Sequence, residues 1–229
     1  MKVLAVGAHP DDIEIFMYGL LTIYKKEGHQ IHTMIATDGA KGGAVSGTKL
    51  ARKRVNEAIN GLEKLSLPIF LNLPDGELGG ELEHKKIIKE NILKIMPDLI
   101  ITHSENDYHT DHKSLSLITK EVVSHYIPIL YCDTLMGINF NPNYYVDITD
   151  HYNLKKEAIL KHKTQSPQRF IDLFELMNSY RAAQCNSPKG TYAEAYSFMN
   201  SFPFSDIREI LPPPLKLRPF HIENQHGFL

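Results

Sequence analysis

Residues 2–14 read KVLAVGAHPDDIE. Up to Ala8 the stretch is apolar and partly β-branched, the pattern of a strand buried on both faces. It stops at His9-Pro10, and Asp11, Asp12 and Glu14 follow at once. Such a strand belongs in a parallel sheet covered on both sides. An imidazole and three carboxylates therefore sit at its carboxyl end.

Outward from this stretch, helical and strand patterns alternate. In DDIEIFMYGLLTIYKKEGH (11–29), Ile15, Met17, Leu20, Leu21 and Tyr24 recur at helical spacing, and Gly28 is a stop. QIHTMIATDG (30–39) is a second strand, followed by the glycine-rich loop GGAVSGTK (42–49). KLARKRVNEAINGLEKL (49–65) is a helix with Leu50, Val55, Ile59 and Leu62 inward. LPIFLNLPDGEL (67–78) is a third strand and turn, HKKIIKENILKIM (84–96) a helix ended by Pro97, and DLIITHSEND (98–107) a fourth strand. A helix starts near His112, and IPILYCDT (127–134) is a fifth strand. The expectation is an α/β fold: a Rossmann-like, doubly wound, mostly parallel sheet in order 3-2-1-4-5, with helices on both faces.

Beyond Thr134 the pattern loosens. YYVDITD (144–150) reads as a further strand, and 153–166 and 168–184 as helices. The tail 211–229 has four prolines within nine residues and forms no regular element. Two roles stay open for it: strapping the surface or reaching a neighbouring subunit of a homo-oligomer. The expected organisation is one domain, 1–229, made of a core at 1–135 and a C-terminal elaboration at 136–229.

Composition narrows the function. Of 229 residues, 42% are hydrophobic and 23% charged, and the net charge is −2, so nothing draws the chain to nucleic acid or an anionic membrane. No apolar run approaches the ~20 residues of a membrane helix, and the start does not read as a signal peptide. Two cysteines, Cys132 and Cys185, make no disulfide framework. A cytoplasmic location is expected.

In an open α/β sheet, ligands bind at the carboxyl ends of strands where the strand order reverses, here between strands 1 and 4. AHPDD follows strand 1 and HSENDYHTDH follows strand 4. Histidine and carboxylate together suit Zn²⁺, whose catalytic sites commonly keep three protein ligands and one open position. His9 and Asp12 with a histidine of the second cluster would supply three. The remaining carboxylate would be a general base, and a spare histidine an oxyanion stabiliser. The bland alternative is a polar turn and helix caps at each strand end.

AHPDDIE (8–14) and HTDH (109–112), in this order and on these strand ends, resemble the LmbE-like (PIG-L) zinc-dependent N-deacetylases. TDGAKGG (37–43), Arg54-Val-Asn-Glu57, LPDGEL (73–78), KKEAILKHKTQ (155–165) and YAEAY (192–196) extend the resemblance over roughly residues 2–198. It implies His9, Asp12 and His112 as ligands of one Zn²⁺ per chain, with another divalent transition metal as the alternative. It implies Asp11 as general base, His109 facing the substrate carbonyl as oxyanion stabiliser or general acid, and Asp111 orienting or charging His109. Arg54 and Asp75 match positions that contact the sugar in relatives, against a bland reading as helix charge and turn former. The implied reaction is removal of an N-acetyl group from an amino sugar or its conjugate.

The chain departs from its relatives at IFMYGLL, where Phe16 and Tyr18 replace small residues. Core packing is the favoured reading for Phe16. His29, His32, His84 and His125 have no partners at ligand spacing, His221 and His226 lie in the tail, and Cys132 reads as inert core. Three rivals remain. One is an amidase of a larger thiol-sugar or other acyl conjugate, and another a silent sugar-binding relative. The third is a Mg²⁺-binding receiver-like module, which would need a phosphorylatable aspartate near Asp75.

Overall fold

The computed structural model describes residues 1–44, 46–123 and 126–199. The Pro-rich tail, with His221 and His226, and His125 lie outside the described residues.

A seven-stranded sheet runs in the order β3-β2-β1-β4-β5-β7-β6. Its first five strands are β1 (Lys2–Gly7), β2 (Gln30–Thr37), β3 (Ile69–Leu73), β4 (Leu99–Thr102) and β5 (Ile129–Cys132). They are mutually parallel and keep the expected order 3-2-1-4-5. Strand β1 is the centre, with β2 on one side and β4 on the other. Its side chains alternate between two cores. Val3 and Ala5 face one that includes Leu20, Tyr24 and Phe174, and Leu4 and Val6 the other, with Met34, Ile88 and Leu115. This is why the run shows no polar alternation.

The far edge differs from the sequence reading. β6 (Tyr144–Asp147) does not pair with β5. A seventh strand, β7 (Ala193–Met199), lies between them, antiparallel to both. Its motif YAEAY hides strand character because Glu194 is a carboxylate in a buried strand. Glu194 is 2% exposed and is paired by Lys155 at 2.8 Å and the Tyr196 hydroxyl at 2.7 Å.

The helices are α1 (Asp12–Phe16), α2 (Tyr18–Lys26), α3 (Thr48–Leu62), α4 (Leu82–Ile95), α5 (Thr110–Val123), α6 (Tyr152–Ile159) and α7 (Pro167–Gln184). The single helix expected over 11–29 is broken at Met17 (φ −130°, ψ −7°). The cause is Glu194, whose carboxylate accepts the N–H groups of Gly19 at 2.9 Å and Leu20 at 2.8 Å. A carboxylate at a helix N-terminus satisfies orphan donors and suits the dipole. A Cβ on Gly19 would stand 2.5 Å from Ile148 Cγ2, so only glycine fits there. Among the described residues, no helix is long and apolar enough to cross a membrane.

Candidate active site

The loops that follow β1, β2, β3 and β4 meet at one end of the sheet. Thr37 and Thr102 hydroxyls tie the strand ends down, donating to Ala8 O at 2.8 Å and Val6 O at 3.0 Å. Between the loops lies a cavity of about 450 Å³. His9, Asp11, Asp12, Arg54, Asp75, His109 and His112 all line it, so seven of the eight expected site residues share one wall-to-wall space. Asp111 lies behind them.

Three donor groups converge. His9 Nδ1 stands 3.4 Å from Asp12 Oδ2 and 3.3 Å from His112 Nε2, and His112 Nε2 is 3.3 Å from Asp12 Oδ1. Ligands about 2.0–2.1 Å from a tetrahedral zinc lie about 3.3–3.4 Å from one another. The spacings are of that order, with Asp12 turning Oδ2 to His9 and Oδ1 to His112; among the described residues the groups that bring one ligand atom each together are His9-His109-His112, Asp12-His103-His112 and His9-Asp75-Asp111, so the cluster is rich in donors for a cation. Each of these three side chains is also held from behind. His112 Nδ1 faces Asp107 Oδ2 at 3.0 Å, and His9 Nε2 faces Asp111 Oδ2 at 3.2 Å and Asp75 Oδ1 at 3.3 Å. Asp12 Oδ2 accepts the His9 backbone N–H at 2.7 Å and lies 3.0 Å from His103 Nε2. Carboxylates behind metal-binding imidazoles fix the ring and leave the other nitrogen free to ligate.

The electrostatics agree. Burial works against a charged His112, yet Asp12 and Asp107 win and push its pKa up to about 9. His9 is likewise raised, burial being outweighed by Asp111, Asp12 and Asp75. The carboxylates around both imidazoles thus favour their charged forms. His103 behaves oppositely: burial, aided by His112, pushes it down to about 4, so it is neutral. It is stacked on His112 with ring centroids 3.7 Å apart.

Asp11 occupies the N-cap position of α1 with φ 134° and ψ −22°, a region L-residues avoid, at about 1–3 kcal/mol. Its side chain makes no capping bond. Burial raises its pKa, and the Arg54 guanidinium opposes that rise. Arg54 is itself buried and donates to Asp11 Oδ1 at 3.0 Å.

Asp111 differs from expectation. Its carboxylate does not orient His109 but accepts the N–H groups of Gly76 at 2.7 Å and Leu78 at 3.3 Å while facing His9. It thus holds the LPDGEL turn against the ligand loop. His109 is oriented instead by backbone: Asp111 N–H donates to its Nδ1 at 3.3 Å, which leaves Nε2 to carry the ring proton. Asp75 accepts Lys41 N–H at 2.8 Å; burial would raise its pKa, but His9 and that bond hold it down at about 2.

The aromatic departures separate. Phe16 lines the cavity and also packs edge-on against His103, His112 and Phe174. Tyr18 is buried away from it, beside Gly61 and Ala158. Sequence reasoning missed Asp107 and His103, although both lie in the quoted HSENDYHTDH; a carboxylate five residues before a ligand histidine was the available signal. It also left Glu14 unassigned. Glu14 is fully buried against His162, 2.7 Å away. In the same 155–165 motif Thr164 donates to Glu57, and Gln165 reaches the cavity. His29, His32 and His84 are not among the cavity residues.

The family described as PIG-L: GlcNAc-PI de-N-acetylase matches residues 4–123. Diacetylchitobiose deacetylase of Thermococcus kodakarensis is 29% identical over 201 residues, covering 78% of this chain and 74% of its own. Among solved structures, N,N'-diacetylchitobiose deacetylase of Pyrococcus horikoshii superposes with a TM-score of 0.76 at 24% identity, over 92% of this chain and 88% of that one. GalB, the 4-carboxy-2-hydroxymuconate hydratase of Pseudomonas putida KT2440, gives 0.78 at 18% identity, over 90% and 98%. At these identities the two structures share the fold, and a fold by itself does not choose a chemistry.

Proposed function

Because the chain belongs to the PIG-L family of GlcNAc-PI de-N-acetylases, we propose that it is a metal-dependent hydrolase that removes the N-acetyl group of an amino sugar or amino-sugar conjugate. The observation that carries this reading is the convergence of His9, Asp12 and His112, each within 3.4 Å of the other two, with Asp11 beside them in the same cavity. Those three residues would hold zinc, or another divalent transition metal. A bound ion would supply an acidified water and polarise the acetyl oxygen.

The chain's own groups then have defined tasks. Asp11, a carboxylate with no capping duty, takes the proton of the attacking water. His109, protonated on Nε2, donates to the oxyanion that develops as the carbonyl carbon becomes tetrahedral. Asp11 returns its proton to the amine nitrogen as the C–N bond breaks, and acetate and free amine leave. Asp107, His103 and Asp111 hold the ligands still. Asp75, on the cavity wall, is available to a sugar hydroxyl.

The receiver-like alternative gives no task to His9, His109 and His112, and it is not the family matched. The larger-conjugate reading keeps one support: Tyr108, 54% exposed, and Phe170 add aromatic surface to the cavity. The test is release of free amine from a panel of N-acetylated sugars and their conjugates, with and without a chelator. Chelator-sensitive release is the expected result. Zinc-loaded protein that releases no amine from any of them would refute the reading.

A further inference from the structure

Phe16 closes one side of the candidate active site. It stands four residues after Asp12 in α1, so the two side chains share a helix face. The ring lines the cavity yet is only 7% exposed. Edge-on contacts pin it against His103, His112 and Phe174, with ring centroids 5.7, 6.1 and 5.3 Å away. Phe174 belongs to the buried core, and a close-packed interior gives the Phe16 ring no room to swing back. The cavity is divided by chemistry. Arg54 and Asp75 stand on one polar wall, tied together through the loop after β2: Arg54 Nη1 donates to Gly39 O at 3.1 Å, and Lys41 N–H donates to Asp75 at 2.8 Å. Ile15, Phe16, Leu135 and Phe170 make an apolar wall, all belonging to or packed on the same hydrophobic cluster.

We propose that Phe16 is a specificity-determining residue for the acyl group: its ring stops the acyl pocket at a methyl, so the chain hydrolyses N-acetyl amino sugars and rejects longer N-acyl chains. The proposal rests on the deacetylase reading. An amide whose carbonyl carbon lies beside His9, Asp12 and His112 sends its two ends apart. The hydroxyls of the sugar go to the polar wall, where their hydrogen bonds are met. The acyl chain is left against the apolar wall. Phe16 is the part of that wall that follows Asp12 by one helical turn and packs on the His112 ring. Each methylene beyond the methyl then has to displace a ring braced on its far side. One surplus methylene in a fitted apolar pocket changes kcat/KM by about 10- to 200-fold.

The experiment measures kcat/KM for the N-acetyl, N-propionyl and N-butyryl forms of one amino sugar whose N-acetyl form wild type hydrolyses. Wild type is compared with Phe16→Ala and Phe16→Leu. Leucine keeps most of the buried volume, so it decides the matter where the alanine variant folds poorly. The ratio between acyl forms is the readout, because a loss of zinc or of folded protein scales all three alike. Expected in wild type is a fall of at least about 10-fold from acetyl to propionyl and about 100-fold to butyryl. In Phe16→Ala the butyryl-to-acetyl ratio rises at least about tenfold, and in Phe16→Leu it moves the same way by less. Binding is read separately in the Asp11→Asn background. There calorimetry gives a weaker Kd for the butyryl than for the acetyl form, and Phe16→Ala closes the gap. A wild type that hydrolyses all three forms alike, or variants that keep the wild-type ratio, would overturn the proposal and leave the deacetylase reading in place. A KM raised equally for all three forms would make Phe16 a platform for the sugar and overturn it too. A zinc-loaded wild type that hydrolyses no N-acetylated sugar would overturn the deacetylase reading, and this proposal with it.

Discussion

Replacing His103 with leucine tests the metal site from a residue that ligates nothing in the reading above. His103 Nε2 lies 3.0 Å from Asp12 Oδ2, and the ring is fully buried and neutral. A hydrogen bond to a charged group contributes about 1.5–3 kcal/mol. If all of it acted on metal binding, zinc affinity would fall roughly 10- to 100-fold. The metal-free protein holds the same bond, so the loss should sit at the lower end, about tenfold. Stability should not follow. His103 Nδ1 is buried without a partner, a cost of about 1–3 kcal/mol that leucine removes. Against that, the variant loses the Nε2–H bond to Asp12, and an Nε2 that donates there cannot also accept the Ala8 N–H 3.2 Å away. Metal-free stability is therefore expected within about 1 kcal/mol of wild type. Competition with a chromogenic chelator reads the first quantity and urea unfolding the second. Zinc affinity within twofold of wild type would refute the reasoning, as would a metal-free variant destabilised by several kcal/mol.

Three further outcomes follow from the geometry. Asp11→Asn should lower kcat by about 10²- to 10⁴-fold while zinc stays bound at one per chain, measured by steady-state kinetics and metal analysis. Asp11→Gly should be more stable than Asp11→Ala by about 1–3 kcal/mol in denaturant unfolding, because both lose the carboxylate but only glycine accepts φ 134° freely. Lys155→Met should destabilise by about 3–5 kcal/mol, since it leaves the Glu194 carboxylate buried without its cation. Adding Glu194→Gln to that variant should recover part of the loss.

The five parallel strands and their order were legible because each carries its own short apolar run between helical patterns. The site was legible because topology alone brings the loops after β1 and β4 together, so two sequence clusters about 100 residues apart became one. What escaped were features set by distant partners. β7 reads poorly because Glu194 makes sense in a strand only once Lys155 is beside it. The break at Met17 has no local glycine or proline to announce it, since Glu194 causes it from 175 residues away. Asp111 was assigned to His109, two residues before it, but its carboxylate is engaged by Gly76, Leu78 and His9 in space. Phe16 and Tyr18 looked alike as aromatic departures, yet Phe16 lines the cavity and Tyr18 is buried away from it, as residues two apart on helical backbone point to opposite sides.

The cap that Glu194 places on α2 also bears on the order of assembly. His9 and Asp12 leave the ribosome before His112, and the carboxylate that ends α1 and starts α2 follows with the last described strand. A nascent chain stopped before residue 193 would hold His9, Asp12 and His112 yet lack the strand that covers β5 and the anion that halts α1. The helix carrying Asp12 would then be free to run on through Met17. Segments 175 residues apart are joined at this point, so the loss of β7 would be felt at α1 and α2.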